Sequence, residues 1–374
     1  MPTQFLNNSN SLIGERISGY TIEAELARGG MGVVYVARHP QLGQKAAVKV
    51  LPDEILADSK IEQYISRFFD EAKAISRAKH PNIVQIYDLG RLSGNNVYIV
   101  MEFLDGENLL ALIDRYGAQG GMPLSVALAV GQPLAAALVE AHRNAVLHRD
   151  LKPANIMMVP SKDTDAGVRP VLIDFGLARM LDSPQRRTKT GTVMGTPSYM
   201  SPEQCMAKDV DAKTDVYSLG TILYEMLCGR VPFEGSLHNI FYCKVKQEAP
   251  ALSIHKPALP EKVCTLVMKM LHREPRERPT MLEVAKQLRA LQDKQGSGIV
   301  EKSDEATTLA IGAQVAATKP LNRNAEATKI TTPIPTKPLH DAAYSNQITA
   351  TRLVGVSLLV MLVGLILWLL FDSR

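Results

Sequence analysis

Five side chains that carry charge or chelate, His148, Arg149, Asp150, Lys152 and Asn155, fall within eight consecutive positions between apolar flanks. Ala145, Val146 and Leu147 precede them, and Ile156 to Val159 follow. This pattern is demanding. The flanks want burial, and charged groups drawn in with them are costly unless each finds a partner. The stretch must be either a structural knot of ion pairs or the wall of a cleft whose ligands complete the pairing.

Other parts of the chain pose the same problem. Lys49 stands alone in the apolar run "AAVKVL". A buried ammonium there needs an anion, either a ligand phosphate or a carboxylate. Glu71, in "RFFDEAKAI", could supply the carboxylate; the alternative is a strand lysine that reaches out to solvent. Asp174, in "LIDFGLA", follows an apolar strand and precedes Gly176. Asn155 and Asp174 offer a hard amide oxygen and a carboxylate, a pair suited to Mg²⁺ that keeps phosphate oxygens in its shell. Asp150 is then free to orient a hydroxyl and accept its proton, while Lys152 neutralises charge on a moving phosphoryl group. A glycine-rich turn, "LARGGMGVV" at 26–34, joins two predicted strands. Gly29 and Gly32 would let backbone amides approach phosphate oxygens. The turn has neither the G-K-[ST] of a Walker loop nor the strand–turn–helix setting of a Rossmann site.

Together these motifs resemble the eukaryotic-like (Hanks-type) protein kinases, closest in look to the bacterial Ser/Thr kinases, over about Tyr20 to Leu291. The motifs occur in the family's order and spacing. The resemblance implies an α+β, two-lobed fold with a small β-rich N-lobe (about 20–104) and a larger helical C-lobe (about 105–291). It implies ATP and Mg²⁺ as cofactors, with Mn²⁺ as a substitute, and protein substrates. Lys49 then holds ATP phosphates with Glu71 as its helical partner. Asp150, Lys152 and Asn155 serve catalysis, and Asn155 and Asp174 bind the metal. The nucleotide would lie against Leu26, Ala27, Arg28, Gly29, Gly30, Met31, Gly32, Val33, Val34 and Ala47. Met101 is the implied gatekeeper, and Glu102 and Leu104 offer backbone hydrogen bonds to adenine. Asp215 is expected to brace the catalytic loop and Arg278 to pair with Glu203. Two positions depart from the family's usual pattern: Ala27 stands where the first loop glycine is common, and Ser201 where alanine is common. No catalytic position is missing, which favours an active enzyme over an ATP-binding pseudokinase scaffold.

Lys152 and Thr196 point to Ser/Thr rather than Tyr as the acceptor. Thr188, Thr190 and Thr192 lie in a basic stretch between Asp174 and Glu203. They are the expected activation-loop phosphosites, Thr190 first, with Arg149 placed to receive the phosphate.

By pattern, "NIVQIYDLG" and "NNVYIVMEF" read as strands, Asp58 to Lys79 as a helix with apolar or aromatic residues at 61, 64, 65, 68, 69, 72 and 75, and Leu124 to Arg143 as a long apolar helix that Gly131 and Pro133 are expected to interrupt. The remaining zones differ in character. Residues 1–19 read as an N-terminal extension without a signal peptide's basic and apolar regions. Residues 292–352 read as a disordered linker: from 293 to 351 there are nine Thr, four Pro and a single aromatic, too little to build a core. Leu353 to Phe371 is 19 residues without a charge, fourteen of them Leu, Ile, Val or Phe. As a helix it would be about 28 Å long, close to the hydrocarbon thickness of a bilayer. Only Asp372, Ser373 and Arg374 follow, so the expectation is a single-pass C-terminal anchor with the kinase domain on the cytoplasmic, ATP-containing side of a bacterial cell membrane. Lys337 and Arg352 before the span, against Arg374 after it, agree with that orientation. A formal net charge of +4 gives no argument for nucleic acid as a partner. The four cysteines form neither C-x-x-C nor a disulfide framework and read as reduced thiols. A homodimer is compatible with the family, but no interface is written in the sequence.

Overall fold

The computed structural model of the chain describes residues 12–29, 32–51, 61–92, 96–164, 166–175 and 197–297. The first part is an antiparallel sheet. Its strands are β1 (Arg16–Ile17), β2 (Tyr20–Gly29), β3 (Gly32–Arg38), β4 (Lys45–Leu51), β5 (Ile86–Arg91) and β6 (Val97–Glu102). They lie in the order β1-β2-β3-β4-β6-β5. β3 shows the two-residue period of a half-buried strand: Val33, Tyr35 and Ala37 are buried and their neighbours are not. These three pack with Ile17, Ile22, Val48 and Val100 on one face of the sheet. Helix α1 (Ile61–Arg77) covers the other face. Its Ile65, Phe68 and Ala72 meet Leu51, Val97 and Ile99, the helical spacing expected of an amphipathic stripe.

The second part is helical. It comprises α2 (Leu109–Gly117), α3 (Leu124–Arg143), α4 (Pro202–Cys205), α5 (Ala212–Cys228), α6 (Leu237–Lys246), α7 (Leu252–His255), α8 (Glu261–Met270) and α9 (Met281–Ser297). A three-stranded antiparallel sheet, β7 (Glu107–Asn108), β8 (Ile156–Pro160) and β9 (Val168–Leu172), lies beside α2. The β8–β9 hairpin places the functional segments. Its register pairs Ile156 with Leu172, so the residues just outside it, Asn155 and Ile173, meet through a 3.0 Å hydrogen bond from the Ile173 N–H to the Asn155 carbonyl. The first part is tied to this hairpin. Val84 donates to the Leu172 carbonyl and Leu172 to that of Asn82, while the buried Asn82 side chain donates to Pro170 at 2.6 Å.

The structure differs from the sequence expectations in several places. Arg16 and Ile17, inside the supposed extension, form β1, and Ile17 is buried in the sheet core. In "NIVQIYDLG" only the second half is strand; residues 82–84 are used in the contacts to β9. Gly131 and Pro133 do not interrupt α3, which runs unbroken. A Cβ on Gly131 would lie 2.6 Å from Leu223 of α5, so the glycine serves close helix packing, and burial of nine other α3 side chains outweighs poor local propensity. α9 continues past Leu291 to Ser297. Among the described residues α3 is the one helix long and apolar enough to cross a membrane, and over half of its apolar window is buried in the core. Leu353–Phe371 and the threonines of the linker lie outside the described residues.

Candidate active site

The segment 147–155 is held by a buried carboxylate. Asp215, on α5, is fully enclosed. Its Oδ2 accepts from the His148 N–H at 2.9 Å and contacts His142 Nε2 at 2.8 Å; its Oδ1 accepts from the Arg149 N–H at 3.0 Å. Burial alone would raise this carboxyl, but the hydrogen bond and charge of His142 and the hydrogen bond from the His148 N–H hold it below the ordinary range. The bracing is needed because Arg149 has φ 59°, a left-handed conformation that costs a non-glycine residue about 1–3 kcal/mol. His148 is also buried. Its Nε2 lies 3.1 Å from the Ile173 carbonyl, which makes it the donor, and its ring lies 4.7 Å from that of Phe175. Burial keeps this imidazole below its usual value and therefore neutral.

Asp150, Lys152 and Asn155 converge. Lys152 Nζ donates to Asp150 Oδ2 at 2.8 Å. Asn155 Nδ2 donates to the Asp150 carbonyl at 2.9 Å and to Oδ2 at 3.2 Å. Asp150 is thus fixed from both main chain and side chain, while Arg149, Asp150, Lys152, Tyr199 and Met200 line one small pocket. Asp174, also left-handed at φ 52°, follows the Asn155–Ile173 hydrogen bond.

Lys49 and Glu71 are not brought together as partners. Lys49 Nζ donates to Asp174 Oδ1 at 2.7 Å. Glu71 Oε1 instead faces Arg149 at 3.7 Å, and its Oε2 is buried without a hydrogen bond. Burial raises the Glu71 carboxyl, and Arg149 offsets part of this. Two cations and two carboxylates meet here across the lobes, and the placement of α1 against the catalytic loop selects Arg149 for Glu71.

The nucleotide-side residues separate by strand face. β2 and β3 pair Ala27 with Val34, Arg28 with Val33 and Gly29 with Gly32; Gly30 and Met31 lie outside the described residues. Val33 points into the sheet core with Tyr35 and Val48, so its side chain faces away from the side that Val34 occupies. Gly29 has open space where a Cβ would be, whereas a Cβ on Gly32 would lie 2.2 Å from the Val50 carbonyl. Gly29 leaves room for a phosphate; Gly32, at φ 125°, is demanded by its contact with β4. Ala47 pairs with Met101 and Ala46 with Glu102, and Leu26 is half exposed. The Glu102 N–H is committed to the Gln85 carbonyl, so its contribution to an adenine would fall to its own carbonyl. Leu104 lies just past β6. Behind Met101, Lys49, Phe68, Ile75, Asp174 and Phe175 help line a mostly apolar cleft.

Arg278 and Glu203 form a bidentate pair, both contacts 2.8 Å, with Thr214 donating a third hydrogen bond to the carboxylate. Burial opposes the Glu203 charge, but Arg278 holds the carboxyl below its ordinary value. Thr188, Thr190, Thr192 and Thr196 lie outside the described residues, as does Gly176. The sequence reading missed two residues. His142 supports Asp215, and nothing in its local pattern marks it. Gln204 is visible in sequence as the end of a Ser-x-x-Gln capping box, but its contact with the catalytic loop is not.

Among the described residues no group of three or more His, Cys, Asp or Glu could hold a metal ion. The donor set near the Ile173 turn is one amide and one carboxylate. That set fits Mg²⁺, which binds through few protein oxygens and takes the rest from phosphate and water.

Comparison with known proteins agrees. The family model described as protein kinase domain matches residues 20–288. Serine/threonine-protein kinase Pkn1 of Myxococcus xanthus is 34% identical over 271 residues, covering 71% of this chain and 37% of that protein. PknF of Mycobacterium tuberculosis is 36% identical over 267 residues, 71% of this chain and 54% of the relative. PrkC of Bacillus subtilis is 36% identical over 266 residues, 71% and 39%. The chain therefore spans less than two thirds of these relatives' own lengths. Among solved structures, the kinase domain of Mycobacterium tuberculosis PknI aligns with a TM-score of 0.57 and 26% identity, over 74% of this chain and 98% of that one.

Proposed function

Because the chain belongs to the protein kinase family, we propose that it is a membrane-anchored serine/threonine protein kinase, transferring the γ-phosphoryl group of ATP to protein hydroxyls and activated by phosphorylation of its own loop. The observation that carries the reading is the convergence of Lys152 and Asn155 on Asp150, together with the Lys49–Asp174 pair.

Asp150 would orient the acceptor hydroxyl and take its proton. Lys152, already 2.8 Å from that carboxylate, would steady it and offset charge on the transferred group. Lys49 would bind phosphate oxygens. Asn155 and Asp174 would hold Mg²⁺, which when bound neutralises phosphate charge. His148 stays neutral and structural.

Activation follows from the sharing of Arg149. A phosphothreonine at Thr190, Thr188 or Thr192 adds about 1.5–2 negative charges and would compete with Glu71 for the Arg149 guanidinium. Glu71, released, would be available to Lys49. The anchor is Leu353–Phe371, with the catalytic part on the ATP-containing side.

The test uses the full chain in lipid bilayers with labelled ATP and Mg²⁺, beside Asp150→Asn. Threonine-linked label in the wild type that is lost in the variant supports the reading. ATP binding without any transfer would leave a scaffold. Phosphosite mapping of the active protein should find Thr190; an unmodified loop in an active enzyme ends the activation proposal. A chain truncated before Leu353 should leave the membrane fraction.

A further inference from the structure

The capping box that starts α4 contains one contact that capping does not need. Ser201 Oγ accepts from the Gln204 N–H at 3.4 Å, and Gln204 Oε1 accepts from the Ser201 N–H at 3.0 Å. Those two bonds complete the box. The same amide then donates from Nε2 to the Arg149 carbonyl at 2.7 Å, the shortest of the three. Both ends of the amide are thereby assigned: the oxygen meets an N–H and the nitrogen meets a carbonyl.

Arg149 is the left-handed residue immediately before Asp150. Asp215 holds its N–H from α5, and Gln204 holds its carbonyl from α4. The carbonyl carbon of Arg149 is bonded to the nitrogen of Asp150, so turning that peptide plane turns Asp150 with it. The Asp150 N–H is itself engaged with the His148 carbonyl at 2.7 Å. Gln204 also lines the pocket that contains Asp150, Lys152 and Tyr199.

We propose that Gln204 is a positioning residue for Asp150: its amide fixes the Arg149–Asp150 peptide plane and ties the orientation of the catalytic carboxylate to the 197–205 segment. The proposal rests on the kinase reading above and deepens it. Asp215 supplies one half of the clamp and Gln204 the other. Removing the second half leaves a left-handed residue restrained on its N–H side by Asp215, with its carbonyl released from α4.

Gln204→Glu separates the two roles of this side chain. A glutamate at this position still accepts from the Ser201 N–H, as in the common capping box, but a carboxylate cannot donate to the Arg149 carbonyl. Gln204→Met removes both contacts. In Gln204→Glu we expect kcat to fall about tenfold to a hundredfold, the scale of a misplacement near 1 Å, with KM for ATP unchanged. Amide hydrogen exchange across 147–152 should quicken. Gln204→Met should show the same loss of kcat and a lower melting temperature. Wild-type kcat and wild-type exchange in Gln204→Glu would overturn the proposal, as would a loss confined to Gln204→Met, which would assign Gln204 to capping alone. If the wild type itself transfers no phosphate, the kinase reading fails, and the exchange measurement still decides the clamp: quickened exchange in Gln204→Glu upholds it, unchanged exchange overturns it.

Discussion

Two charge systems in this protein are built on opposite plans. At the base of the helical part, Arg278 and Glu203 meet in a bidentate pair, and the guanidinium also donates to the carbonyls of Lys213, His272 and Arg273 and lies 4.9 Å from the Tyr217 ring centre. Between the lobes, among the described residues, Lys49 meets Asp174 at 2.7 Å and Glu71 meets Arg149 at 3.7 Å, and one Glu71 oxygen has no hydrogen bond. The first pair is saturated and has nowhere else to go. The second group has as many candidate pairings as partners, so small movements of α1 or of the catalytic loop can re-sort it. A saturated buried pair serves as a brace; a group of two cations and two carboxylates spanning two lobes can serve as a switch.

The largest effect should come from breaking the brace. Arg278→Ala leaves the Glu203 carboxylate buried without its cation, and loss of one partner of a buried pair costs about 3–5 kcal/mol. Urea unfolding should show that loss; a change within error would mean the pair adds nothing to the fold. Next is Asp215→Asn, which keeps the shape but weakens the hold on the left-handed Arg149. Phosphotransfer should drop about a hundredfold, as for a misplaced reacting group, with a smaller loss of stability. Activity at the wild-type level would show that the brace is not needed to position Asp150.

On the switch side, Glu71→Gln should behave in the opposite way. Burial already raises the Glu71 carboxyl, so the charged form is disfavoured in the folded state. A group raised in this way favours the folded state less as pH rises past its unfolded value, so removing the charge should leave stability at neutral pH equal or higher. Activity should fall nonetheless if, as proposed, Glu71 becomes the partner of Lys49 on activation. A stability loss comparable to that of Arg278→Ala would erase the contrast between the two systems.

The last test probes the brace itself through its pH dependence. Lys244, on α6, is fully buried over the rings of Tyr217 and Phe233. Burial lowers it from 10.5 to about 7; Cys205 and Glu203 pull it upward and Arg278 pushes it down. The unfolded chain therefore binds one more proton than the folded chain between about pH 7 and the ordinary lysine value. Stability should rise with pH across that window, by at most about 1.4 kcal/mol per unit, and be flat in this contribution below it. Lys244→Met should remove that slope. Parallel profiles for variant and wild type would mean that Lys244 does not titrate there.

Much of the molecule was legible in the order of its residues. The alternation in β3 and the helical spacing of Ile65, Phe68, Ala72 and Ile75 announced their elements because each pattern is local and repeats with the geometry of its own structure. The site residues His148 to Asn155 and Asp174 announced themselves because charge between apolar flanks has few explanations. Less legible were Val33, placed by strand face in the core instead of the cleft, and Gly32, required by the Val50 carbonyl. Pro133 misled because the cost of a helix proline is local while the burial that offsets it is not.

By itself, the sequence determined most of the N-lobe strands, the long helices, and the presence of a carboxylate, an amide and two lysines suited to phosphoryl transfer. The tertiary structure alone decided who pairs with whom. Lys49 and Asp174 are 125 positions apart, and Glu203 and Arg278 are 75 apart. No local pattern encodes such a separation; the Arg278–Glu203 pair was expected only through the family resemblance. The choice of Arg149 for Glu71, and of the Arg149 carbonyl for Gln204, depends on how α1, α4 and the catalytic loop pack, because Coulomb and hydrogen-bond energies fall off over a few ångströms and reward only the partner that packing brings within reach.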